Sequence, residues 1–165
     1  MSMDMSGMAM DLNDYDWDAY LANDRTLSDP EIIPVEPGGR VRLRVINGAA
    51  ATVFWIDTGA ATSQLVAVDG HDVHPVAGTR FGLAMGQRLD LEMELPNESG
   101  AWPVLALREG ARERTGIILA TPGATVTKVD PLATEDAPAF DTDLAQEARF
   151  TAIDSLPARA VQRSQ

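Results

Sequence analysis

The chain has 165 residues, enough for one domain with extended ends rather than two. Its formal net charge of −12 argues against a nucleic-acid partner, whose phosphates need clustered lysine and arginine. With no cysteine it can hold no disulfide, zinc–thiolate site, iron–sulfur cluster or blue-copper centre, and no apolar run reaches the roughly 18 residues of a membrane-spanning helix.

Residues 1–14 are biased in composition without a folding pattern: Met1, Met3, Met5, Met8 and Met10 are spaced by Ser, Gly, Ala and Asp. Such a segment buries no core face and is expected to be flexible. It is also too polar to supply the apolar centre of an export signal. Thioether sulfur prefers Cu(I), so Met3, Met5, Met8 and Met10 are candidate ligands of a weak copper-collecting arm. An unstructured spacer with compositional drift explains them equally simply.

From Tyr15 the pattern turns to period two. Tyr15, Trp17, Ala19 and Leu21 alternate with Asp16, Asp18 and Tyr20, which predicts a strand with the first set inward. Glu31 to Val35 carries Pro34 and belongs at a sheet edge. After the turn EPGGR, Arg40 to Val45 alternates strictly, arginines outward and aliphatics inward, until Asn47-Gly48 ends it. Val53–Asp57, Gln64–Asp69, Arg80–Ala84, Leu89–Leu95, Trp102–Arg108 and Thr115–Thr121 follow as further strands between turn signals. The pair Asp69-Gly70 suits a tight turn with positive φ.

About eight strands and no convincing helix predict an all-β, Greek-key β-sandwich or barrel over residues 15–123. Residues 124–165 lose the alternation and read as a linker toward a further domain, with one helical turn near Asp143 to Ala148.

The two histidines, His71 and His74, lie three positions apart within VDGHDVHPV. They are candidate ligands of an accessory copper site if Asp69 or Asp72 completes the set. The competing reading places them at solvated positions of a surface turn, stiffened by Pro75. Asp11, Asp14, Asp16, Asp18, Asp24 and Asp29 crowd the first thirty residues, yet nothing sets the fixed separation a carboxylate acid–base pair needs. Ser63 and Ser99 lack a nucleophile-elbow context. Arg108, Arg112 and Arg114 are read as exposed, or as bridging to a neighbouring domain.

Five segments together carry a resemblance: LANDRTLSDPEIIPVEPGGRVRLRVINGA, FWIDTG, VAVDGHDVHPV, MGQRLDLEMELP and GAWPVLALREG. They resemble the second, middle cupredoxin-like domain of three-domain bacterial multicopper oxidases of the laccase and copper-resistance type. The most specific pieces are the PGG-x-V-x-L-R-x-I-N-G hairpin and the DG-x-x-V-x-P turn followed by G-Q-R-L-D. The tail LPARAVQRS is similar to the linker into that family's third domain.

In that family the coppers sit in the first and third domains, on His-x-His pairs and a cysteine. Residues i and i+2 of a strand share a face, which is why two imidazoles so spaced can reach one metal cluster. At the matching places this chain has Phe54-Trp55-Ile56 and Leu105-Ala106-Leu107, expected to be core residues and not ligands.

The resemblance therefore implies a non-catalytic structural domain with no cofactor of its own. It implies a copper-bearing parent that couples oxidation of phenols or cuprous ion to reduction of dioxygen to water. The implied partners are the first and third cupredoxin domains, with self-association through interdomain faces when those partners are missing. The implied location is periplasmic or secreted. A free-standing copper-binding β-sandwich module, using the Met-rich N-terminus, is the alternative.

Overall fold

The computed structural model describes residues 15–140 and 145–154. Among these, nine strands form two sheets: β1 (Ile32–Pro34), β2 (Arg40–Ile46), β3 (Phe54–Asp57), β4 (Thr62–Val68), β5 (His71–Gly78), β6 (Arg80–Leu83), β7 (Arg88–Glu94), β8 (Ala101–Arg108) and β9 (Arg114–Ala120). One sheet runs β1-β9-β8-β3-β6 and the other β2-β7-β4-β5. Only β4–β5 and β8–β9 are neighbours both in sequence and in a sheet, so the chain repeatedly changes sheet, as a Greek-key sandwich requires. All pairings are antiparallel except β1 with β9.

The period-two pattern sets what each face meets. On the four-stranded sheet Leu43, Leu91, Leu65 and Val76 stand opposite one another across β2, β7, β4 and β5. Leu65, Leu89, Leu91 and Met93 are fully buried against Phe54, Ile56, Phe81, Leu83 and Leu119 of the facing sheet. The outward positions of the same strands carry Arg40, Arg42 and Arg44 over Asp90, Glu92 and Glu94, with contacts such as Arg40–Glu92 at 2.9 Å and Arg42–Asp90 at 2.9 Å. Each buried leucine is worth about 2 kcal/mol, against about 0.5 kcal/mol for an exposed ion pair. The core therefore holds the sheet, while the charges keep its outer face wet.

Two strand expectations are corrected. Residues 15–21 form no strand: Tyr15, Trp17 and Leu21 are exposed, and Tyr20, which the alternation had pointed outward, packs edge-on to Phe54 at 5.8 Å. Alternation makes a strand only where a neighbouring edge completes the hydrogen-bond ladder, and residues 15–21 pair with no strand; the nearest bridge, Ala22–Arg25, closes a tight turn after them. Conversely, the segment after Asp69-Gly70 is not a loop but strand β5. Its Pro75 is tolerated because β5 lies at a sheet edge, where a missing N–H breaks no ladder. The turn before it has the expected geometry, with φ of 49° at Asp69 and 83° at Gly70.

The segment beyond residue 123 runs against the five-stranded sheet and around its margin. The indole N–H of Trp55 donates to the Pro138 carbonyl at 2.8 Å, and Phe140 stacks on the Trp55 ring at 4.8 Å. Phe140 also covers Gly82, where any Cβ would overlap its ring. The Gln146 side chain accepts from the Gly82 N–H at 2.6 Å and donates to the Gly82 carbonyl at 2.9 Å, acting as an added strand residue at the β6 edge. Its helical turn is a single 3-10 turn, Glu147–Arg149. Beyond it Ala152 bridges Val73, and the His74 N–H donates to the Thr151 carbonyl at 2.9 Å, which lines the β5 edge.

Gln146→Ala removes both bonds to a buried glycine backbone, and urea denaturation should show a loss of about 2 kcal/mol. A loss within error would mean that water replaces the carboxamide at that edge.

Candidate functional site

The positions that could hold chemistry fall into three groups. The first is the pair of strand segments, 54–56 and 105–107, where imidazoles two residues apart would share a face. Phe54 and Ile56 point inward and are buried in the core, as expected. Leu105 and Leu107, also expected in the core, are not: on β8 it is Trp102, Val104, Ala106 and Arg108 that face inward. Leu105 and Leu107 lie half-buried on the outer face, opposite Asp57 and Trp55. The parity follows from the pairing of Arg108 with Phe54, which places a charged residue on the inner side. None of these four side chains has a donor atom, so these positions do not fit copper.

The second group is the histidines. His71 and His74 sit on β5, not in a turn, and both are exposed. A register shift interrupts the alternation here, so that Val73 and Val76 are both buried while the two imidazoles face solvent. Their two carboxylate neighbours are engaged elsewhere: Asp69 accepts from the Arg88 backbone N–H at 2.8 Å, and Asp72 lies 3.7 Å from Arg42. Among the described residues no group of three or more His, Cys, Asp or Glu could hold a metal ion. Met3, Met5, Met8 and Met10, with Asp11 and Asp14, lie outside the described residues.

The third group was not legible in the sequence. Arg108, expected to be exposed or to reach a neighbouring domain, is buried inside this one. Its guanidinium donates to Asp16 at 2.5 Å, lies 3.5 Å from Glu113 and sits 5.6 Å from the centre of the Tyr20 ring. Burial works against the charge, but the hydrogen bond to Asp16 and the nearby Tyr20, Glu113 and Asp16 hold it above its ordinary value. Asp16 is thus paired rather than simply solvated, as Asp29 is with Arg25 at 2.8 Å. Arg114 donates to the Asp130 carbonyl at 2.7 Å, tying β9 to the following segment. Ser63 is buried and bonded to Thr58 at 2.7 Å, and Ser99 bonds Thr121 at 2.7 Å, so neither is a free nucleophile.

Beside Arg108 the two sheets do not close fully. A cavity of about 710 Å³ opens between the β2 side and the five-stranded sheet. It explains why Ile33, Leu43, Val45, Ala106 and Ile117, all packed against the core, remain only half-buried. Tyr20, Thr52 and Thr115 line it, and the hydroxyl of each is buried without a hydrogen-bond partner among the described residues.

Residues 6–124 match the family model described as multicopper oxidase. The multicopper oxidase MmcO of Mycobacterium tuberculosis is 29% identical over 119 residues, which is 72% of this chain and 23% of that protein. Copper resistance protein A of Escherichia coli is 35% identical over 99 residues, 58% of this chain and 16% of that protein. The chain thus spans less than a quarter of the curated relatives it matches. Fet3p, a multicopper oxidase that functions in iron import, superposes with a TM-score of 0.63 at 10% identity, over 84% of this chain and 27% of that one, a likeness of fold.

Arg108→Ala should cost about 2 kcal/mol in chemical denaturation, since it removes buried packing and the contact over Tyr20. Asp16→Asn should cost under about 1 kcal/mol, because the Asp16 side chain is 87% exposed. Equal losses for the two variants would mean that the ion pair, and not the packing, dominates.

Proposed function

Because the chain belongs to the multicopper oxidase family, with a cupredoxin-like β-sandwich, we propose that it is the family's non-catalytic middle domain. In this reading it is a spacer that organises copper-bearing first and third domains around it. The observation that carries the reading is the donor set: the strand positions that would present imidazoles to a metal present Phe54, Ile56, Leu105 and Leu107. The short span relative to the curated relatives supports the presence of other domains in the parent protein. The parent would oxidise phenols, cuprous ion or similar reductants and pass the electrons to dioxygen, in the periplasm or outside the cell.

The chemistry of its surfaces fits a spacer. The outer face of β2 and β7 is a lattice of opposite charges suited to water. Apolar side chains instead stand at the outer face of the five-stranded sheet and at the open end of the cavity. Ile32, 52% exposed on β1, lies in the same sheet as the half-buried Leu105 and Leu107, while Leu21 and Ile46 line the cavity. These are the surfaces we assign to neighbouring domains.

Two measurements test the assignment. Titrated with Cu(I) and Cu(II) and then dialysed, the chain should keep substoichiometric copper and show no dioxygen uptake with a phenolic reductant. Dioxygen-dependent turnover by this chain alone would overturn the reading. Stoichiometric copper that is lost on deleting residues 1–10, or on replacing His71 and His74 with Ala, would favour the copper-binding module instead. In sedimentation the chain should self-associate with rising concentration, and a strict monomer throughout would count against exposed interdomain faces.

A further inference from the structure

Strand β2 ends at Asn47-Gly48, and every polar atom of this asparagine is engaged. Asn47 is 4% exposed. Its carboxamide donates to the Thr52 carbonyl at 2.8 Å and to the Leu83 carbonyl at 3.1 Å, and its Oδ1 accepts from the Ala49 N–H at 3.0 Å. Its backbone N–H donates to the Gln87 carbonyl at 3.1 Å, and its own carbonyl accepts from the Gly86 N–H at 2.9 Å. One residue thus ties the end of β2 to the β2–β3 loop, the end of β6 and the turn into β7. Buried polar groups so fully satisfied are costly to disturb.

Gly48 has no comparable structural reason. A Cβ there would meet nothing within 4 Å, and its φ lies outside the left-handed region that favours glycine. What glycine does supply is an unhindered amide nitrogen next to an asparagine carboxamide. That nitrogen gives up its proton and attacks Cγ of Asn47. An N–Cγ bond forms, the Cγ–Nδ2 bond breaks, and Nδ2 leaves as ammonia with the proton. Water then opens the five-membered imide at either carbonyl, leaving aspartate or an isoaspartyl linkage. In the folded chain the attack is blocked, because turning the face of Cγ toward the nitrogen means rotating a carboxamide held by three hydrogen bonds.

We propose that Asn47-Gly48 is a modification site gated by the fold: it deamidates when this end of the sandwich opens, and the reaction then prevents reclosure. Aspartate at position 47 sets a carboxylate against the Thr52 and Leu83 carbonyl oxygens, replacing two donors with a buried negative charge. The isoaspartyl form adds a carbon to the main chain and shifts the carbonyl that Gly86 bonds. An opening event is thereby written into the covalent structure. Neither copper nor the spacer role enters the argument, so the two readings stand or fall separately.

The test is incubation of the full chain at mildly alkaline pH, folded and in guanidinium chloride, followed by trypsin and tandem mass spectrometry. Cleavage after Arg44 and Arg80 releases a peptide in which Asn47 is the sole asparagine, so the change from amide to acid can be placed on it. The unfolded chain should deamidate about a hundredfold faster or more, reflecting how rarely a native region opens. Gly48→Ala keeps the bonds of Asn47 and has room for its methyl, so it should fold like the parent and lose most of the reaction in denaturant. Parent chains aged in denaturant and then diluted should fail to refold in proportion to conversion, while Gly48→Ala chains treated alike should recover. Equal rates in the folded and unfolded chain would overturn the gating. Converted chains that regain the fold, or an Asn47→Asp variant as stable as the parent, would overturn the block to reclosure.

Discussion

The fold rests on the register of one row. Leu43, Leu91, Leu65 and Val76 must stand in line across β2, β7, β4 and β5, because that alignment turns the core aliphatics of the sheet toward the facing one. A slip of one residue in β2 would bring Arg42 inward and Leu43 out to solvent, exchanging hydrophobic stabilisation for a buried charge. The same register lines up the arginines of β2 with the carboxylates of β7 on the outer face. Core and charge lattice are therefore two sides of one constraint. The shift between Leu65 and Ala67 shows the constraint at work: it lets Val68 rejoin Leu89 after an extra residue in β4.

What the sequence made legible was whatever alternates and has a partner. The strict Arg-Val-Arg-Leu-Arg-Val of β2, the Leu89-to-Leu95 run of β7 and the Asp69-Gly70 turn were all readable, because each is fixed by local chemistry. The segment Tyr15 to Leu21 alternates as well, but no free sheet edge receives it, and its one inward side chain is Tyr20, drawn under Arg108. Leu105 and Leu107 failed for a related reason. Apolar residues on both faces of β8 give no parity signal, so only pairing with β3 decides which set points in. The cavity had no sequence signature at all, because separate segments converge on the space between the sheets.

The two outer faces differ in what they ask of their surroundings. The four-stranded sheet answers its own charges and needs no cover. The five-stranded sheet carries apolar side chains outward and recruits residues 131–140 and 145–150 over part of them, through Pro138, Phe140 and Gln146. That asymmetry between a self-sufficient face and a dependent one supports the spacer role proposed above.

The carboxamide of Gln146 has a consequence for the order of events during synthesis. It closes the β6 edge from 64 positions further along the chain, and Thr151 closes the β5 edge from still further. Until those residues leave the ribosome, both margins offer open backbone to any extended segment nearby. The sandwich can assemble its core early but sheds its risk of edge-to-edge pairing late, so nascent chains halted before residue 146 should be the ones that need a chaperone.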